Sequence, residues 1–330
     1  MIRIKEQGRA VYDRRMTETL RAFLTGLIDY AGLFPPAKLD MPTTVRHYAT
    51  YLAADNSFAL GKLKCPVSRL QELTEHGAIV MPGTYATSGY TEMAGIAGPW
   101  IVSAIINTDL DEALDAIDAF NEHHSSHENG QARVTAIELK ISAPSDVDDV
   151  LDTVSADLAV AMELPTETVF GGDPRGFVAA LAGGEAKAKI RCGGVEPGMI
   201  PSTEDIARFI NACATAEVAF EPTAGLHHPV RAEYPLTYDA DPPRAVMHGF
   251  LNVFMAAALV RSRAIEPDRV LAVLDETDPK AFNFADESCG WRDASITLEQ
   301  FTRSREGFCL GYGSCSFTEP FDDLRSIGLL

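Results

Sequence analysis

Lys187, Lys189 and Arg191 share one face of the segment 186–192, and Ala188, Ile190 and Cys192 share the other. A β-strand alternates its faces with period two. The apolar face can pack on helices, which leaves three cations pointing the opposite way. Gly193-Gly194 then lets the backbone turn, and Ser202-Thr203-Glu204-Asp205 reads as a helix start with capping chemistry. About thirty residues further on, a second strand ends in Glu221-Pro222-Thr223-Ala224-Gly225-Leu226-His227-His228-Pro229. Polar side chains at the ends of successive strands, each followed by a helix, are how a (β/α) barrel presents an active site.

The same alternation assigns faces elsewhere. In residues 134–141 the bulky face is Thr135, Ile137, Leu139 and Ile141, so Glu138 and Lys140 point into the barrel. Glu163 points inward from residues 158–164, Glu221 and Thr223 from 218–223, Asn107 from 100–107, and Lys62 and Lys64 from 58–64. The result is a ring of opposite charges near the carboxyl ends of neighbouring strands. An unpaired buried charge costs several kcal/mol. The ring must therefore be internally paired, wet or occupied by a ligand, and a purely structural salt-bridge network is the competing reading.

These side chains need eight strands to hold them. Residues 27–34, 58–64, 100–107, 134–141, 158–164, 186–192, 218–223 and 308–315 read as strands. Helices are expected at 42–54, 68–76, 110–123, 145–155, 174–181, 203–214, 244–263 and 319–327. Such alternation implies a parallel sheet, and eight units favour an α/β fold of the (β/α)8 TIM barrel type. Residues 275–297 break the pattern and read as an insertion, in hairpin form, between helix 7 and strand 8. A polar, Gly-rich loop is expected at 82–98, introduced by a short strand at 79–81. The segment 229–243 reads as a lid loop carrying Arg231 and Tyr234. Residues 1–15 read as an N-terminal arm, disordered or foreign to the fold, and 16–330 as a single barrel domain.

The 330 residues are 46% hydrophobic and 23% charged, ordinary for a globular chain with a sizeable core. With 28 basic against 47 acidic residues the net charge is −19. That argues against nucleic-acid partners and anionic membrane surfaces, but not against a small anionic substrate in a local cationic cleft. Cys65, Cys192, Cys213, Cys289, Cys309 and Cys315 are dispersed, form no C-x-x-C pair and follow no signal peptide. Reduced thiols and a cytoplasmic location are expected. The longest apolar run, at 250–260, is too short to span a bilayer. Homo-oligomerisation stays open.

Two resemblances add to this reading. Asp29-Tyr30-Ala31-Gly32-Leu33-Phe34-Pro35-Pro36, the stretch Lys189 to Gly194, Thr223 to Pro229, His248-Gly249-Phe250-Leu251-Asn252 and Gly313-Ser314-Cys315-Ser316-Phe317 look like the motifs of a bacterial barrel family. That match covers nearly the whole chain and brings no function with it. The order of motifs is also similar to that of deoxyribose-phosphate aldolase and related Schiff-base aldolase barrels. Ile28-Asp29-Tyr30 resembles that family's opening, Glu138-Leu139-Lys140 its Glu-x-Asp strand, and Met162-Glu163-Leu164 its fifth strand. Lys189 lies where the family carries its Schiff-base lysine. The chain departs from the pattern at three places: Lys140 stands for the acid–base aspartate, Glu221 stands near the second lysine, and Arg191 replaces a small polar residue.

The resemblance implies a carbon–carbon lyase acting through Lys189 on a small anionic carbonyl or sugar-derived compound, without a cofactor. A Schiff-base lysine must be neutral to attack a carbonyl. The competing role for Lys189 is a charged group that binds a carboxylate or phosphate. Lys140, Glu163, Glu221, Glu138 and Asp29 are the other catalytic candidates, Asp29 on its first-strand position alone. Arg191, Lys62, Asn107, Thr223, His227, His228, His248, Ser314 and Cys315 are candidates for substrate binding. His248 and Asn252, four apart on a helix, share a face, and the former is expected to meet an anion near a helix start. The backbone around Ser314 and Cys315 is expected to cradle a phosphate. A second reading is a lyase or isomerase that uses a divalent metal ion held by Glu138, Glu163, Glu221 and His227 or His228. A third is a non-catalytic ligand-binding barrel.

Overall fold

The structure, a computed structural model, describes residues 16–83 and 98–330. The expected arm at 1–15 and nearly all of the expected loop at 82–98 lie outside them. In chain order the first elements are α1 (Glu18–Leu24), β1 (Ile28–Tyr30), α2 (Met41–Leu52), β2 (Leu60–Pro66), α3 (Leu70–Gly77), β3 (Trp100–Ile105) and α4 (Leu110–His123). Then come β4 (Ala132–Lys140), α5 (Asp146–Thr153), β5 (Ala159–Glu163), α6 (Thr166–Val169), α7 (Arg175–Leu181), β6 (Lys187–Arg191), α8 (Thr203–Ala216) and β7 (Phe220–Thr223). The last third holds β8 (Ala232–Pro235), β9 (Arg244–Met247), α9 (Phe250–Arg261), α10 (Val270–Leu274), β10 (Phe282–Phe284), β11 (Ser288–Trp291), β12 (Ala294–Thr297), α11 (Leu298–Gly307), β13 (Tyr312–Ser314) and α12 (Glu319–Ser326).

Eight parallel strands close into a barrel in the order β1-β13-β7-β6-β5-β4-β3-β2, which is the expected (β/α)8 TIM barrel. The outward residues of the strands, such as Leu63, Val102, Ile137, Met162, Ile190 and Phe220, are buried against the helices. The helix starts are set locally. Asp40, Asp109 and Ser202 accept hydrogen bonds from backbone N–H groups of the first turn of α2, α4 and α8, and Ser202 and Asp205 complete the expected capping box.

Four local expectations change. Residues 79–81 form a turn rather than a strand. The expected helix 244–263 begins only at Phe250, after Gly249, because Arg244–Met247 pairs antiparallel with Ala232–Pro235 and makes the lid segment a hairpin. The expected strand 308–315 narrows to Tyr312–Ser314, preceded by a single bridge between Phe220 and Cys309. The insertion is a three-stranded sheet, β10-β11-β12, rather than a hairpin.

That sheet has a physical purpose. Every residue of α9 from Phe250 to Val260 is buried, and a helix apolar all round needs cover on every side. The barrel covers one side, while α8, α10, α11 and the β11–β12 ribbon cover the rest. Arg305 of α11 is buried and donates to the carbonyls of Phe23 and Cys309, tying α1 to the approach of β13. Burial pulls its guanidinium down to about 10. No helix among the described residues is long and apolar enough to cross a membrane.

Candidate active site

The inward side chains stack in layers, each drawn from alternate strands, as in other barrels of this type. The lowest layer takes Asp29, Ser103, Ala161 and Glu221 from β1, β3, β5 and β7. The next takes Lys64, Glu138, Lys189 and Gly313 from β2, β4, β6 and β13. Above it lie Ala31, Ile105, Glu163 and Thr223, and then, at the mouth, Lys140, Arg191 and Cys315. Cross-strand register supports the assignment, with Lys140, Glu163, Lys189 and Glu221 as successive partners on adjacent strands. Branched apolar residues usually fill such layers. Here charge fills them.

Glu138 is the hub. Lys64 donates to its Oε1, Ser103 donates to the same oxygen at 2.8 Å, and Lys189 Nζ lies against Oε2. Lys64 Nζ is also 3.0 Å from Asp29 Oδ2, and Lys62 Nζ is 3.9 Å from that oxygen. Asp29 accepts a further bond of 2.7 Å from the Lys62 N–H. Burial would raise the carboxyl of Glu138, but Lys189 and Lys64 outweigh it and hold the group well below the usual carboxylate range. Asp29 is likewise buried, and Lys64 and Lys62 hold it low. Lys64 is pushed above its ordinary value, since Asp29 and Glu138 together overcome the burial that opposes its charge. Glu221 pairs with Lys187 at 3.5 Å, and Arg191 Nε donates to Glu163 Oε1 at 3.2 Å.

Above this network opens a cavity of about 340 Å³, walled by Phe34, Pro35 and Pro36 on one side and Val195 and Met199 on another. Its polar lining comprises Lys64, Glu138, Lys140, Glu163, Lys189, Arg191, Thr223, His227 and Cys315. The barrel axis carries six cations, Lys62, Lys64, Lys140, Lys187, Lys189 and Arg191, against four carboxylates, Asp29, Glu138, Glu163 and Glu221. Lys140, exposed at the mouth, makes no ion pair among the described residues. A chain of net charge −19 thus concentrates positive charge in this barrel cavity.

Glycines shape the site at two places. A Cβ on Gly313 would lie 2.9 Å from Lys64 Cε, so the absent side chain is what gives the Lys64 stem its room. Gly313→Ala is expected to cost about 1–3 kcal/mol by overpacking and to shift Lys64 off its carboxylates. Thermal denaturation checks this against Gly307→Ala, where nothing lies within 4 Å. An equal Tm for the two variants would mean that Lys64 has slack. Gly225, at φ +73°, packs on Gly193, and a Cβ there would come within 2.6 Å of the Gly193 Cα. The glycines of the two motifs therefore let the β6–α8 and post-β7 loops touch backbone to backbone.

Not every expected site residue reaches the cavity. Asn107 lies beyond the end of β3 and exchanges hydrogen bonds with Ser68 in the neighbouring loop, with its Nδ2 donating to Ser68 Oγ at 2.8 Å. The period-two rule fails there because the strand has already ended. Lys62 sits at the opposite, amino-terminal end of the barrel axis, 28% exposed. Ser314 faces out of the barrel and turns back on the Ser316 backbone at 2.7 Å. His228 Nδ1 meets Asp323 at 2.6 Å, and its ring stacks on Tyr234. His248 is buried and bonds the Pro201 carbonyl at 2.8 Å, while Asn252 donates to the carbonyls of Val273, Leu274 and Glu276. Both staple loops instead of meeting an anion, because α9 starts after His248 and is enclosed.

The expected metal set is dispersed too. Among the described residues, the carboxylates close enough to share an ion are Asp29, Glu138 and Glu221, within 4.8 Å of one another. Glu163, His227 and His228 do not belong to that group. The Lys64 ammonium already lies between Asp29 and Glu138, in the position a cation would take.

Lys64 faced inward by the alternation, yet its central role depends on Gly313 and on barrel closure. Ser103 shares the inward face of 100–107 by the same alternation, but nothing in the sequence marks it as a partner of Glu138. Tyr238 and Glu319, which gather on the mouth, carry no sequence signal: His227 Nδ1 is 3.6 Å from Glu319 Oε2, and the Tyr238 hydroxyl donates to the same oxygen at 3.1 Å while lying 3.6 Å from Cys315 Sγ.

The fold and its cavity define a class, a (β/α)8 barrel with a charged interior and a ligand-sized cleft at the carboxyl ends of its strands. No family model, curated protein or solved structure matches the chain.

Proposed function

We propose that the chain is an enzyme that acts on a small anionic carbonyl or sugar-derived compound, with carbon–carbon lyase chemistry through Lys189. The observation that carries this reading is the position of Lys189 Nζ, on the floor of the cavity and against Glu138. The Lys189 ammonium would first release its proton to solvent in the open cavity; addition of the resulting neutral amine to a carbonyl, with loss of water, would leave an iminium cation on that nitrogen. Glu138, shared with Lys64, can stabilise the iminium where it previously faced the ammonium. The iminium then accepts the electron pair of the breaking carbon–carbon bond. Glu163, on the wall above, would take the proton of the hydroxyl that becomes the carbonyl of the departing fragment. Arg191 and Lys140 supply the anion-binding charge at the mouth. The similarity to Schiff-base aldolases in motif order points the same way.

The three carboxylates near Lys64 favour a metal-dependent lyase or isomerase as the second reading, and such an enzyme would have to displace the Lys64 ammonium to bind its ion. Borohydride reduction in the presence of pyruvate, glyoxylate or dihydroxyacetone phosphate separates the two. The lyase reading expects a stable adduct mapped to Lys189 by peptide mass spectrometry. No adduct with any carbonyl, together with activity lost to chelator and restored by a divalent ion, would replace it with the metal reading. Binding without turnover under both conditions would leave a ligand-binding barrel.

The mouth gives a further expectation. Arg191 offers a planar fork suited to bidentate recognition of a carboxylate or phosphate. Arg191→Lys should weaken binding of glyoxylate about tenfold or more, on the scale of a charged hydrogen bond, although the charge is kept. Unchanged affinity by calorimetry removes Arg191 from the ligand shell.

A further inference from the structure

The cavity holds a second set of chemically competent groups, on the rim opposite Lys140. Cys315 follows β13 and turns its thiol inward, where it lines the cavity with His227 from the loop after β7. His227 shares this lining with the thiol, and its buried Nδ1, which has no hydrogen-bond partner among the described residues, lies 3.6 Å from Glu319 Oε2. Tyr238, from the β8–β9 hairpin, bridges Cys315 and Glu319. A thiol, an imidazole in the same lining and a carboxylate within ion-pair distance of that imidazole are the components used by activated thiols. Groups from three separate segments, the loop after β7, the β8–β9 hairpin and the stretch from β13 into α12, meet here, so the contact is built by the fold.

The charges agree with this geometry. Burial would lower His227, yet the Cys315 thiol and the Glu319 carboxylate beside it carry it up to about 9. Burial would raise Cys315, but His227 pulls it below the ordinary thiol value. The other thiols go the opposite way: burial pushes Cys65, Cys192 and Cys289 up to about 12, and Cys213 and Cys309 also rise.

We propose that Cys315, His227 and Glu319 form a second reactive centre, in which Cys315 Sγ adds reversibly to the carbonyl carbon of a small anionic aldehyde held in the same cavity. The carbon–sulfur bond forms as the carbonyl π bond opens. The resulting alkoxide takes a proton from the His227 imidazolium, giving a neutral hemithioacetal and a neutral imidazole. The reverse step returns the proton and releases the aldehyde, so no oxidant or reductant is needed. Lys140 and Arg191 would hold the anionic end. The reaction does not require Lys189.

The test is alkylation of the full chain with iodoacetamide near neutral pH, followed by peptide mapping of all six cysteines. Cys315 should react first, ahead of the five other thiols. His227→Asn and, more mildly, Glu319→Gln should each slow it, the former about tenfold or more, as the thiolate fraction falls. Glyoxylate should protect Cys315 reversibly, and should do so equally in Lys189→Ala, where no Schiff base can form. Glycolate, with the same carboxylate and no carbonyl, should not protect. Equal protection by glycolate would reduce the effect to occupancy and overturn the adduct. A Cys315 that reacts no faster than the five other thiols, or at the same rate in both variants, would remove the reactive centre altogether.

Discussion

Lys189→Ala should abolish turnover and borohydride trapping, with a rate loss of about three orders of magnitude or more, the scale seen when a covalent nucleophile is removed. Lys189→Arg should fail equally. It restores a cation against Glu138, but a guanidinium stays protonated and cannot condense with a carbonyl. The pair of variants separates chemistry from scaffolding. Arginine keeps the charge balance of the layer, so a loss common to both cannot be blamed on an unpaired Glu138. The alanine variant should remain folded, because Glu138 retains Lys64 and Ser103. Near-normal activity in Lys189→Arg would sink the Schiff-base reading and leave Lys189 as a binding charge.

Glu138→Gln should be the most destabilising single change in the barrel axis. Both Lys64 and Lys189 are about 3% exposed; Lys189 would lose its carboxylate partner, and Lys64 one of its two, keeping Asp29. Breaking a buried ion pair by removing one member costs about 3–5 kcal/mol. Lys64→Met should cost less, since Asp29 keeps Lys62 and Glu138 keeps Lys189. The effect carries a pH signature. The folded-state value of Glu138 is depressed below its ordinary 4.5. Its contribution is therefore fully present above that pH and is lost as pH falls through the folded value. The gap in denaturation free energy between the native chain and Glu138→Gln should be constant near neutrality and close as the solution is acidified below about 4.5. A gap that stays open at low pH would show that the destabilisation is steric. A Lys64→Met variant as unstable as Glu138→Gln would show that Glu138 is not the hub.

The rules of local chain geometry were enough to read which way most of these side chains point. Period-two alternation in 134–141 and 186–192 placed Glu138, Lys140, Lys189 and Arg191 inside the barrel, and the capping residues before α8 marked its start. Those inferences succeed because backbone pleat and helix-end hydrogen bonding act over a few residues. They fail where an element stops early, as at Asn107, or where a neighbouring strand captures a segment, as when β8 takes Arg244–Met247 from the expected helix.

Which charges meet was decided by closure. Lys64 and Glu138 are 74 residues apart and sit on strands separated by β3, and they touch only because the closed, tilted barrel brings alternate strands into one layer. The space for Lys64 comes from Gly313 on the far side of the closing seam. The same holds at the mouth, where Tyr238 reaches Cys315 across 77 residues and Glu319 across 81. The sequence determined the inventory of inward charges and their strands. Their pairing, and the company kept by Cys315, follow from strand tilt and loop packing, which no short-range pattern encodes.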